Sequence, residues 1–177
     1  MKKELFIHYS FLISLFIFIS LAKGWMGLSY WPFWVGGIIG NFLPDLDHFI
    51  YVYFLKPHEL TSQRVGYMME KRNLSRSLRL LIETRSERTK LIFHSGLFQL
   101  IFIVLAFLVV TSSGSLFARG VVLAFFLHLL VDQAVDLVET GNMNNWTGGY
   151  SLEISKNQAK TYWSIMLLVL LLLSFVL

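Results

Sequence analysis

An all-α polytopic membrane protein with about five transmembrane helices is predicted by three features of this sequence. Of its 177 residues, 55% are hydrophobic and 15% charged, whereas a soluble domain carries about 25% charged residues to cover its surface. Five stretches approach the roughly 20 apolar residues that take a helix across a bilayer. The basic residues fall almost entirely between those stretches. With no cysteine present, composition also excludes a disulfide framework, a cysteine zinc finger, an iron–sulfur protein and a disordered binding region.

In chain order the expected spans cover about 5–22, 31–55, 91–112, 116–138 and 161–177, all within one membrane domain over 1–177. The first follows Met1-Lys2-Lys3 as a secretory leader would. Its apolar run exceeds the about 7–15 residues of a leader core and carries His8, so it reads as a retained helix. Trp25, Tyr30, Trp31 and Trp34 read as an interfacial aromatic belt. The second span holds Gly36 and Gly40, a GxxxG step that lets helices approach closely, and is interrupted by Pro44-Asp45-Leu46-Asp47-His48. The fifth is a leucine-rich anchor.

Thirteen of the fifteen Lys and Arg residues precede span one, lie between spans two and three, or precede span five; only Lys23 and Arg119 fall on the other side. The positive-inside rule then predicts a multi-pass protein of the cell inner (plasma) membrane with its N-terminus in the cytoplasm and its C-terminus outside. In the cytoplasmic basic loop, 56–90, Leu74, Leu78, Leu81 and Ile82 recur at helical spacing among Arg72, Arg76, Arg79 and Arg85. This predicts an amphipathic helix on the anionic inner leaflet, with membrane lipids as partners. No aromatic residue is interleaved with those arginines, so no nucleic-acid partner is expected. The sequence says nothing about oligomeric state.

Ionisable residues inside the spans carry the functional signal. They are His8 in span one, Asp45, Asp47 and His48 in span two, His94 in span three, and His128, Asp132 and Asp136 in span four. An aspartate at a helix centre costs roughly 2.5–3.5 kcal/mol on insertion scales, so four cost on the order of 10 kcal/mol without compensation. Spans one and three begin on the cytoplasmic side with their histidines near their starts, while spans two and four end there with their polar residues late. All eight groups are therefore expected in the cytoplasmic half of the bilayer. His128, Asp132 and Asp136 stand at i, i+4 and i+8, and Asp45 and His48 at i and i+3, so each set can face one point. Pro44 disturbs the turn before Asp47, so that residue's direction stays open.

Imidazole with carboxylate suits a divalent metal, with zinc first and manganese or iron as alternatives. The number of groups suits one or two ions. A bound metal activates water, making hydrolysis the expected reaction class. His58, in the loop, is expected to have no such role. Asn142, Asn144, Asn145 and Trp146 form a polar turn expected near the site's cytoplasmic mouth. No GxSxG elbow, Walker loop or HExxH pair is present.

Leu43-Pro44-Asp45-Leu46-Asp47-His48 after a Gly-rich apolar helix, the early His8, the His94-Ser95 pair and His128-Leu129-Leu130-Val131-Asp132 together resemble the YdjM-like family. These are bacterial inner-membrane proteins regarded as metal-dependent hydrolases and as distant relatives of zinc-dependent phospholipase C. The resemblance covers spans one to four. It implies ligand roles for His8, Asp45, His48, His94, His128 and Asp132, leaving Asp47 and Asp136 as catalytic candidates that orient a ligand or act as general base. The family's His-Arg-Gly-x-Thr-His-Ser stretch is here Thr89-Lys90-Leu91-Ile92-Phe93-His94-Ser95, and its Thr-Pro-x-Gly segment is replaced by Val135-Asp136-Leu137-Val138. One metal position is thus expected to be absent or rebuilt, with Asp136 as the replacement.

The expected function is a membrane-embedded metal-dependent hydrolase acting on a phosphoester or an amphiphilic, lipid-like substrate. The alternatives are a metal-ion or proton transporter and a non-catalytic metal-binding scaffold.

Overall fold

The computed structural model describes residues 2–84, 88, 90–147 and 154–177, without the side chains of Lys2 and Lys3. The described residues form helices and connecting turns, with no strand among them. The α-helices are α1 (Lys2–Lys23), α2 (Trp31–Phe42), α3 (Leu46–Ile50), α4 (Leu60–Glu70), α5 (Leu74–Glu83), α6 (Gly96–Ser112), α7 (Leu116–Glu139) and α8 (Lys156–Val176). Arg85, expected on the basic face of the loop, lies outside the described residues.

Helix α7 is the axis of the bundle, buried almost without interruption from Gly120 to Gln133. Its capping Ser115 accepts a hydrogen bond from the Ala118 N–H, satisfying one of the donors a helix start leaves over. α2 lies against α7 through small residues on both sides. A Cβ on Gly36 or Gly40 would overlap the carbonyls of Phe117 or Val121, and one on Gly120 would overlap the Phe33 carbonyl. The GxxxG step therefore does bring two backbones together. α1 covers this pair, and its Phe16 ring stacks on Phe33 with centroids 4.3 Å apart. α6 and α8 cover the remainder of α7. The Lys23 ammonium donates to the carbonyls of Phe175 and Leu177, so α1 and α8 finish at the same end of the bundle.

Among the described residues, three helical segments are long and apolar enough to cross a membrane: Glu4–Lys23, Leu116–Glu139 and Lys156–Val176. α6 is shorter, at 17 residues. The expected span over 31–55 is not one helix. α2 stops at Phe42, and around Pro44 the ladder tightens to i→i+3 bonds: Leu46 N–H to Leu43, Asp47 N–H to Pro44 and His48 N–H to Asp45. Proline has no N–H to continue an i→i−4 ladder, and its ring crowds the preceding turn. A single π-helical turn, Tyr51–Leu55, follows α3.

The expected third span also starts late. Residues 91–95 are not helical, and α6 begins at Gly96 with Ser95 as its cap, accepting from the Phe98 N–H. At the fifth span the helix starts earlier than expected, at Lys156, because Ser155 and Gln158 form a reciprocal capping box.

The basic loop folds as two helices, α4 and α5. Asn73 caps α5 by accepting from the Arg76 N–H. Leu81 is buried against Val52 and Val65, while Leu74 and Leu78 on the same helix remain 57% and 44% exposed.

Candidate metal centre

Four parts of the chain bring the predicted polar residues to one end of the bundle. α1 supplies His8, the Pro44 turn and α3 supply Asp45, Asp47 and His48, residues 91–95 supply His94, and α7 supplies His128 and Asp132. His8, Asp47, His48, His94, His128 and Asp132 are all buried.

Asp132 is the hub. Its Oδ1 lies 3.1 Å from His8 Nε2, and its Oδ2 lies 2.9 Å from His94 Nε2 and 3.3 Å from His128 Nε2. Among the described residues, His8, His128 and Asp132 present ligand atoms that all fall within 4.8 Å of one another. Zinc holds nitrogen and oxygen at about 2.0–2.2 Å, so tetrahedral ligands of one ion stand about 3.4 Å apart. The separations around Asp132 approach that value, and this group could hold a divalent metal.

The far sides of the rings support the same donor set. His8 Nδ1 lies 2.9 Å from the Glu4 carbonyl, which can only accept, so Nδ1 carries a proton. Nε2, 3.1 Å from Asp132 Oδ1, then donates to that carboxylate when the ring is protonated and turns a lone pair toward it when the ring is neutral. His94 repeats the arrangement, with Nδ1 3.3 Å from Asp47 Oδ2 and Nε2 toward Asp132. A carbonyl or carboxylate behind the ring is the usual outer partner of a metal-binding histidine. His128 goes further: both of its ring nitrogens are buried without a hydrogen-bond partner. Its Nε2 is near Asp132 but lacks the geometry to bond to it. A buried polar atom left in this state costs about 1–3 kcal/mol, which a shared cation would offset.

The direction of Asp47, left open by the sequence, is settled by the turn at Pro44. Asp47 is 0% exposed. Its carboxylate accepts from the backbone N–H groups of Ile92 at 3.1 Å, Phe93 at 2.6 Å and His94 at 3.2 Å. It braces the strand of chain that presents His94. Asp45 faces the other way, half exposed, with Oδ1 3.7 Å from His128 Nε2.

His48 stacks on His94 with centroids 5.3 Å apart, and its Nδ1 accepts from Arg88 Nε at 3.2 Å. Arg88 is 3% exposed and also donates to Thr84 Oγ1 and the Leu81 carbonyl. It thereby ties the end of α5 to the site. Asp136 does not join the cluster around Asp132. Its Oδ2 accepts from the indole N–H of Trp146 at 2.7 Å, and Trp146 packs on His94 with ring centroids 5.6 Å apart.

Among the described residues, cavities open on two sides of the site. One, about 340 Å³, reaches His8, Asp45, His48, His128 and Asp132 and is walled mainly by apolar side chains of α1, α2, α3 and α5. The other, about 210 Å³, is polar and holds Arg88, His94, Asp136, Glu139, Asn145 and Trp146. Asn145 and Trp146 of the predicted polar turn do border the site. His58 is exposed in the loop and lines neither cavity.

Arg88 escaped sequence reasoning because nothing distinguishes it among the basic residues of its loop. Gln99 and Gln133 were also missed, although polar residues within apolar helices are a readable signal. Both are 0% exposed, and Gln99 Oε1 accepts from Gln133 Nε2 at 2.7 Å and from Tyr162 at 2.6 Å. That network ties α6, α7 and α8 together.

No protein-family model, curated protein or solved structure matches this chain. The chemistry of the site is therefore the basis for interpreting it.

Proposed function

We propose that this protein is a membrane-embedded metal-dependent hydrolase acting on a phosphoester or lipid-like substrate. The observation that carries the proposal is the buried His8–His128–Asp132 group, in which the His128 nitrogens have no hydrogen-bond partner. His94, braced by Asp47, and Asp45 stand beside that group as further ligands, and His48 completes the ring of polar residues. Zinc is the ion that best suits this nitrogen and oxygen set, with manganese or iron as alternatives. When bound, the ion supplies an acidified water and polarises a phosphoryl oxygen.

The remaining steps belong to the protein. In phosphoester hydrolysis the water oxygen forms a new P–O bond, the bond to the leaving alkoxide breaks, and a water proton passes to that alkoxide. On this reading Asp136, which lines the polar cavity with His94, receives and returns that proton. The carboxylate of Asp47 is occupied by three backbone donors, so its role is to position His94 rather than to act as the base. The resemblance to the YdjM-like family points to the same reaction class.

The five-pass topology belongs to this reading as well. α2 with its broken continuation forms one pass, α6 another, and the basic loop keeps the site at the cytoplasmic face. Beyond the site the bundle is closed by Leu12, Phe16, Ile19, Phe33 and Leu123, none more than 4% exposed. That closure favours an enzyme over a transporter, which needs a polar route across the membrane.

The test is metal analysis of detergent-purified wild type beside His128→Ala and Asp132→Ala. Stoichiometric metal in wild type and its loss in both variants is expected. Metal-free wild type, prepared without chelator, overturns the proposal. Phosphodiester turnover that depends on added zinc or manganese then separates the enzyme from a carrier or scaffold.

A further inference from the structure

We infer that the apolar cavity beside the metal centre binds an acyl chain of a membrane phospholipid, which enters sideways from the bilayer and places its phosphoester at His8, His128 and Asp132. This inference rests on the hydrolase reading for the reaction but not for the binding.

The cavity has the form of an amphiphile. Its volume of about 340 Å³ falls within the roughly 300–1,000 Å³ of small-molecule sites. One end is the His/Asp cluster; the body is apolar, walled in part by Phe49 and the buried Leu81. Leu5, Phe42, Leu46 and Leu78 line it and are also 42–48% exposed, so the wall continues onto an apolar outer surface. Such a rim suits a chain coming from hydrocarbon better than a solute coming from water.

Asn41 supplies an independent sign of a ligand. It lines the cavity, is 4% exposed, and its Oδ1 is buried with no hydrogen-bond partner. A side-chain amide can present either its oxygen or its NH₂ to a ligand. Asn41 is thus placed to bond a glycerol hydroxyl or an ester oxygen near the head of the chain. The charge of the head follows from the proposed site: a divalent cation held by His8, His128 and Asp132 would favour an anionic phosphoryl group over a neutral ester, and Arg88, which lines the polar cavity and bonds His48 from that side, adds positive charge behind it. On the opposite side, the polar cavity at His94 and Asp136 leaves room for water while the chain occupies the apolar one.

Binding can be tested without turnover. Full-length protein is reconstituted in phosphatidylethanolamine–phosphatidylglycerol vesicles doped with phosphatidylglycerol carrying a photoactivatable group at mid-chain. A parallel sample receives the matching photoactivatable free fatty acid. Both are run on chelator-treated and zinc-loaded protein, and crosslinks are mapped by mass spectrometry.

The phospholipid probe should label residues 41–49 and 78–82 at least fivefold above the exposed face of α6 at Leu97, Ile101 and Val104. Leu46→Trp and Leu78→Trp, at half-exposed rim positions that tolerate a larger side chain, should cut cavity labelling at least threefold and leave α6 labelling unchanged. Asn41→Leu should weaken labelling by the phospholipid more than labelling by the fatty acid. Equal labelling of cavity and α6, no effect of the rim variants, or cavity labelling by the fatty acid alone overturns the inference. Cavity labelling with no hydrolysis of any phosphoester would preserve the chain site and sink the hydrolase. Turnover of a water-soluble phosphodiester with no cavity labelling would do the reverse.

Discussion

Asp132 and Asp47 are both buried aspartates, yet they meet different partners. Asp132 faces ring nitrogens of His8, His94 and His128, whereas Asp47 faces backbone donors of Ile92, Phe93 and His94. Replacing Asp132 by Asn keeps the volume and removes the charge, so bound metal in purified protein should fall by about tenfold or more. Replacing Asp47 by Ala leaves those three N–H groups without their acceptor. At about 1–3 kcal/mol for each buried group left unpaired, thermal unfolding in detergent should shift down clearly, and zinc affinity should weaken by roughly 10–100-fold as His94 loses its brace. An Asp47→Ala protein that melts like wild type and binds zinc equally well would contradict this division of roles.

Among the elements, α2 and α7 matter most, because their contact positions both halves of the site. Asp45 and Asp47 follow α2 directly in the chain, so their placement depends on how α2 lies against α7. Gly40→Ala puts a Cβ into the Val121 carbonyl and must part the helices. It should destabilise the fold by about 1–3 kcal/mol and lower metal content with it. Gly66 in α4 is the matching control, since a Cβ there meets nothing within 4 Å. Gly66→Ala should raise helix stability by about 0.5–1 kcal/mol and leave metal binding unchanged. Thermal melts paired with metal analysis of the two variants separate a general effect of glycine replacement from the loss of this contact.

For the whole molecule, the fold surrounds a polar cluster in which both ring nitrogens of His128 lack a hydrogen-bond partner, so on the proposed reading folding and metal binding are coupled. An ion that binds only the folded state at about 100 times its dissociation constant adds about 2.7 kcal/mol of stability. Zinc should therefore raise the melting temperature, and chelator should reverse the gain. Because imidazole ligates only when deprotonated, the zinc-dependent gain should be present near neutral pH and disappear on acidification. A melting temperature indifferent to zinc, with wild type and Asp132→Asn alike, would remove the coupling.

By itself the sequence determined the helical class, the polar residues and the end of the bundle where they gather. Apolar length, charge placement and helix direction are one-dimensional properties, readable without knowing what touches what. The GxxxG step was legible for the same reason, because Gly36 and Gly40 stand on one face of a regular helix. Only the tertiary structure decided which aspartate holds the histidines and which holds the backbone. Helical spacing predicts direction only while the i→i−4 ladder continues, and it fails at Pro44 and again over residues 91–95, where Asp47 replaces a helix as the partner of the N–H groups. The places of Arg88, Trp146 and the apolar cavity follow from long-range approaches between elements, which no local pattern records.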